Sequence, residues 1–213
     1  MPAMPILSPL EARVLGVLVE KQRTVPDTYP LSLNALTAGC NQKNSRDPVM
    51  NASEAEVNEA LAGLRSHSLI IETTGSRVSR YAHNAERGLG LPTQSVALMA
   101  VLMLRGPQTV GELRINCERL HKFADISAVE GFLEELAARA DGAMVVELPR
   151  QPGSRESRWA HLLCGEVAIP EPTAVATRST AANPDLVARV DALEAEVASL
   201  RTLVEELRGA LQG

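Results

Sequence analysis

Apolar residues recur along the chain first at three- and four-residue steps and then in short unbroken runs, and this succession occurs twice. Leu10, Val14, Val17, Leu18 and Lys21 fall on one helical face, which predicts a helix with one buried side from Ser8 to about Gln22. Ser8-Pro9-Leu10-Glu11 is a capping box: serine and glutamate exchange bonds with each other's backbone, and proline sits where a missing N–H costs nothing. Pro26 and Pro30 exclude helix between Thr24 and Leu31, and Ser32 caps a second helix, Leu33 to about Cys40. A second box, Ser53 to Glu56, opens a third helix that ends near His67 and carries Val57, Leu61 and Leu64 on one stripe. Leu69 to Gly75 (LIIETTG) has no helical period and runs into a turn, so a β-hairpin is expected to close at His83.

The second half repeats the order. TQSVALMAVLML from Thr93 is apolar on nearly all sides, the mark of a helix buried between layers or domains. Arg105-Gly106-Pro107 stops it, Thr109 caps a helix from Val110 to about Leu120, and Ser127 to Glu130 reads as a further capping box before Val129, Leu133 and Leu136. MVVELPRQPG at Met144 to Gly153 starts a second hairpin. The closing strands are nearly the same octapeptide, SRVSRYAH at Ser76 to His83 and SRESRWAH at Ser154 to His161, which identifies a duplication. Helix, helix, helix, hairpin is the winged-helix order. The expected fold is therefore mainly α with small β-hairpins, two tandem winged-helix domains at 1–91 (with a linker at 83–91) and 92–164.

From 165 to 184 the composition shifts to Pro, Thr, Ala and Ser without periodicity, as in a linker. Beyond it Leu186, Val190, Leu193, Val197, Leu200, Val204, Leu207 and Leu211 alternate steps of four and three. Valine at most a positions and leucine at every d position favour a parallel two-stranded coiled coil over 185–213. Arg189 with Glu194 and Glu196 with Arg201 would pair across such a dimer with opposite signs. The segment would be about 39 Å long. Docking back onto its own chain is the alternative.

Composition narrows the partners. A net charge of -5 excludes nucleic-acid binding through bulk charge, so any such contact must be local. Cys40, Cys117 and Cys164 are scattered and without C-x-x-C, which fits a reducing cytoplasm and neither a disulfide framework nor a zinc ribbon. The N-terminus lacks a basic region before its apolar part, and the longest apolar run, Val96 to Leu104, is about half of what spans a bilayer. A cytoplasmic protein without membrane attachment is expected.

Two polar regions are candidates for contact. The stretch NQKNSRDPVMNA from Asn41 to Ala52, with Asn41, Gln42, Lys43 and Arg46, is either a plain surface loop or one that touches phosphate or a partner. The wings carry Arg77 and Arg80 in the first hairpin and Arg150, Arg155 and Arg158 in the second, suited to phosphate or, alternatively, to guarding edge strands from aggregation. Arg114, Arg119 and Lys122 are a further candidate basic patch or, equally, partners of the neighbouring acids. Both third helices, by contrast, carry three glutamates against one arginine, the wrong sign for a groove-reading helix. No phosphate-cradling, nucleophile-elbow or zinc-protease motif occurs, and Cys117 with His121 supplies too few ligands for zinc. His83 and His161 are expected to share a packing or hydrogen-bonding role rather than acid–base work, with Tyr81 and Trp159 in the hairpin cores.

The string EARVLGVLVEKQRTVPDTYPLSLNALTAGCNQKNSRDPVM, with LRGPQTVGELR at Leu104 to Arg114 and the RYAH and RWAH ends, resembles the YceH-like family of bacterial proteins across Ser8 to Leu163. The resemblance implies a tandem winged-helix fold in a cytoplasmic protein and transfers no catalytic residue. The resulting expectation is a non-enzymatic homodimer, without cofactor or metal, that binds duplex DNA through wings and loop as a transcription regulator does. The alternative is a scaffold whose acidic third helices hold a basic protein partner.

Overall fold

Ser8 opens the first helix, α1 (Pro9–Thr24): its hydroxyl accepts the Glu11 N–H at 3.2 Å and the Glu11 carboxylate accepts the Ser8 N–H at 2.6 Å. The computed structural model describes residues 5–74, 78–151 and 153–167; the heptads and Arg77 lie outside them. The helix runs two residues past its predicted end and stops because the residue before Pro26 is pushed out of helical conformation. A single 3-10 turn, Pro26–Thr28, follows.

One expectation about α1 is corrected. Instead of one buried face, every residue from Ala12 to Val19 is buried. The cause is α5 (Thr93–Arg105), itself buried from Ser95 to Leu104, which packs along α1. Gly16 permits the approach, since a Cβ there would stand 3.0 Å from Leu104 Cγ. A second close contact is made by α2 (Leu33–Cys40), where a Cβ on Gly39 would lie 2.7 Å from Val17 Cγ1. Helices buried all round sit at the centre of a core, and here one apolar cluster runs unbroken from Leu7 to Leu163 within a compact unit of residues 1–169.

Around this pair the two halves repeat each other. In the first, α3 (Glu54–Ser66) is opened by the Ser53–Glu56 box and buries Val57, Leu61 and Leu64. In the second, α6 (Val110–Cys117) ends three residues short of expectation, and α7 (Ile126–Ala137) buries Val129, Leu133 and Leu136. The cap of α7 is Asp125, whose side chain accepts the Ala128 N–H at 2.8 Å, and not Ser127. A carboxylate starting the helix two residues earlier also meets the positive end of the helix dipole. The expected linker at 83–91 is partly helical: α4 (Ala85–Gly88) folds there and Ala85, Leu89 and Leu91 enter the core.

The hairpins share one register. Strands β2 (Ile70–Thr73) and β3 (Arg80–His83) pair Ile70 with His83 and Glu72 with Tyr81; β4 (Val145–Leu148) and β5 (Arg158–His161) pair Val145 with His161 and Glu147 with Trp159. An equivalent backbone bond ties each to its preceding helix, Leu69 N–H to Leu64 O at 2.9 Å and Met144 N–H to Leu136 O at 3.0 Å. A short strand not expected from the sequence, β1 (Leu31–Ser32), joins the first hairpin in the order β1-β3-β2. In the second half the same edge carries a single bridge, Gln108 to Trp159. The architecture is thus mainly helical, with seven α-helices and two small antiparallel sheets among the described residues. No helix among them is long and apolar enough to cross a membrane.

Candidate nucleic-acid interface

The hairpin arginines are held alike in both halves. Arg80 Nη1 donates to Pro30 O at 2.8 Å, and Arg158 Nη1 donates to Pro107 O at 3.1 Å. Pro30 and Pro107 stand two residues before the equivalent caps Ser32 and Thr109, so the duplication extends to a side-chain hydrogen bond. Both arginines are exposed, and Arg158 also lies 3.5 Å from Glu112, a contact too exposed to hold the charge strongly. Arg155 is exposed, whereas Arg77 is outside the described residues.

The polar loop divides. Arg46 is not at the surface: it is 7% exposed, and its guanidinium donates to Gly39 O at 3.2 Å, Ser45 O at 2.8 Å and Gln42 Oε1 at 2.7 Å. Glu20 Oε2 stands 2.7 Å from Arg46 Nη2, close enough for an ion pair although it accepts no aligned hydrogen bond. Asn41 clamps Ala52 through its side chain, donating to the Ala52 carbonyl and accepting its N–H, both at 2.8 Å. Asp47 N–H reaches Leu104 O at 2.8 Å and Arg105 reaches Ser45 Oγ at 2.8 Å. The loop is therefore a strap fastened onto α1 and α5. Of its proposed contact residues, Lys43 stays exposed with no recorded bond among the described residues, while Gln42 is exposed but accepts from Lys21 and Arg46.

Sequence reasoning missed Arg105, which the fold brings beside Arg119, Asn116 and Ser45 around a cleft of about 80 Å³. No linear signal marks this pairing, because the two arginines lie on α5 and just beyond α6. The third helices keep their acidic surface. Arg65 of α3 is taken up by Glu72, and Arg139, just beyond α7, by Asp141 at 2.5 Å. Glu56 is spent on its capping box, and its backbone bond with Ser53 holds its carboxyl below the usual range.

The histidines part company. His83 is buried; its Nδ1 accepts the Ala85 N–H at 3.3 Å, which assigns the proton to Nε2 and a donated bond to Gln22 Oε1 at 2.8 Å. Its pKa is lowered, chiefly by burial. At the equivalent position, burial pushes His161 down to about 4 and leaves its Nδ1 without a partner. Cys40 and Cys117 are buried and pushed up to about 12 by loss of solvent, so both stay as thiols at neutral pH. Cys117 and His121 join no cluster of three or more metal-ligating side chains among the described residues.

A family model described as "Protein of unknown function, DUF480" matches residues 7–154. The chain belongs to the DUF480 family. Its relatives include a UPF0502 protein of Dechloromonas aromatica, 65% identical over 204 residues that cover 95% of this chain and 96% of the relative. A UPF0502 protein of Burkholderia thailandensis is 60% identical over 214 residues, covering 99% and 91%. One of Cupriavidus taiwanensis is 56% identical over 211 residues, covering 99% and 86%. The last two alignments run over nearly the whole chain, so in these relatives the likeness continues past the DUF480 match into the segment with the heptads.

Proposed function

We propose that the protein is a non-enzymatic, tandem winged-helix homodimer that contacts duplex DNA through its two wings. The observation that carries this reading is the repeated fixing of Arg80 and Arg158. One N–H of each always-charged, planar guanidinium is tied to a proline carbonyl while the side chain stays exposed, and Arg158 Nη2 also reaches Glu112 at 3.5 Å, a contact that a phosphate would have to replace. A cation anchored this way loses less entropy on meeting a phosphate than a free side chain does. Contact of this kind positions the protein without reading bases. Dimerisation through Leu186 to Leu211 would double the number of wings on one duplex.

Binding of a random-sequence duplex, followed by anisotropy at low and moderate salt, tests this. Affinity should fall as salt rises, and Arg80→Ala with Arg158→Ala should flatten the log–log slope by roughly 2 per protomer on the duplex, one phosphate per arginine, and so by about 4 for the dimer. Absence of binding at low salt would overturn it in favour of the second reading, a scaffold for a basic protein partner. That reading is favoured by the exposed carboxylates Glu59, Glu130, Glu134 and Glu135, for which no ion pair is recorded among the described residues.

A further inference from the structure

The strap that fastens onto α1 and α5 also lines an open cavity of about 260 Å³, to which it contributes Asp47 and Met50, α5 contributes Leu102 and Met103, and β5 contributes Ala160 and His161. Most of the lining is apolar; its polar groups are sorted by depth. Arg13 of α1 lies inside, 1% exposed, and donates only to neutral carbonyls, Cys40 O at 3.2 Å and Pro48 O at 2.7 Å. Among the described residues no carboxylate stands within ion-pair distance of it, and its Nε has no hydrogen-bond partner. Buried charges are ordinarily paired and buried polar atoms ordinarily bonded. Here an unpaired guanidinium and a second unpartnered atom, His161 Nδ1, line the same cavity. At the outer side stand two exposed carboxylates, Asp47 and Glu166.

We propose that this cavity binds a small apolar zwitterion of the α-amino-acid type. Its carboxylate lies toward Arg13, its ammonium toward Asp47 and Glu166, and its side chain against Leu102 and Met103. The charge order selects the class. A simple carboxylate would meet the acidic rim, and a simple amine would meet the positive interior, whereas a zwitterion satisfies both in a weakly screened space. At about 30 Å³ per water, the volume holds on the order of eight or nine water-sized groups, which suits leucine or methionine. The site is separate from the DNA contact, although Pro107, whose carbonyl accepts Arg158, also lines it.

Cys164 reports on the cavity directly. It lines it and is exposed, whereas Cys40 and Cys117 are buried. The full-length protein is treated with N-ethylmaleimide alone and with L-leucine, L-methionine, 4-methylpentanoate or 3-methylbutylamine, and the Cys164 adduct is followed by mass spectrometry. Leucine or methionine should slow its formation saturably, with the single-charge analogues weaker by about tenfold, the scale of one charged contact. Asp47→Asn with Glu166→Gln, at exposed positions where folding is spared, should erase the preference for the amino acid over 4-methylpentanoate. No protection up to about 10 mM, a limit near the weakest specific affinities, would overturn the proposal. So would equal protection by 4-methylpentanoate, or a preference unchanged in the double variant.

Discussion

His83 and His161 close equivalent strands, lie opposite Ile70 and Val145 in the same register, and end in different chemistry. Around His83 the first half supplies Gln22 from α1, the Ala85 N–H from α4 and Glu86 nearby, so both ring nitrogens are used. Around His161 the corresponding neighbours are the cavity and the chain toward Val167, and Nδ1 meets nothing. The edge strands differ in the same sense: Leu31 extends a sheet in one half, while Gln108 makes one bridge in the other and bonds its amide to Val101 O and Gly106 O. A duplicated local sequence reproduces backbone pairing. What packs outside the duplicated piece decides the fate of each side chain.

The largest expected effect concerns the strap, which the first half has between α2 and α3 and the second half replaces with a shorter connection. Arg46→Ala removes a buried guanidinium, leaves Glu20 with Lys21 alone and deprives Gly39 O, Ser45 O and Gln42 Oε1 of a donor, and should cost about 3–5 kcal/mol in urea unfolding. A loss below about 1 kcal/mol, the range of a surface pair, would show that the strap is held by its backbone bonds alone.

Next in size is a pH effect that separates the histidines. With a folded pKa of about 4 and an unfolded value near 6.5, His161 is neutral in both states above pH 6.5. Its contribution is fully present there and is lost as pH falls toward 4, because the unfolded chain takes up the proton first; the loss amounts to roughly 3 kcal/mol. His161→Phe should flatten this slope while leaving neutral-pH stability nearly unchanged, since no bond to Nδ1 is broken. His83→Phe should instead cost about 1–3 kcal/mol at neutral pH, by stranding Gln22 and the Ala85 N–H. Equal behaviour of the two variants would erase the asymmetry.

The smallest effect tests the symmetry. Arg80→Ala and Arg158→Ala each remove one bond to a proline carbonyl from an exposed side chain and should each cost about 0.5 kcal/mol. A difference well above that would mean that the Glu112 contact of Arg158 contributes more than its exposure suggests.

Much of the helical frame was legible because its signals are local. Ser8, Ser32, Ser53 and Thr109 all cap the helices assigned to them, since a cap needs only its own next three residues. The stripes of α3 and α7 bury the residues their spacing indicated, for the same reason. The contact site was much less legible. Arg46 looks solvated in a polar string and is internal, because Glu20 and the Gly39 carbonyl approach it from elsewhere in the fold. Arg105 and Arg119 looked unrelated and share a cleft.

By itself, then, the amino-acid order determined where α1, α2, α3 and α6 begin and that a helix–helix–helix–hairpin unit occurs twice. Periodicity, caps and turns act over a few residues and are written in full wherever they occur. Only the tertiary structure decided that α1 is buried on every side, that the polar strap turns Arg46 inward, and that one histidine is bonded while its twin faces a cavity. Burial and charge pairing depend on atoms brought together from distant positions, and no local pattern encodes which atoms those will be.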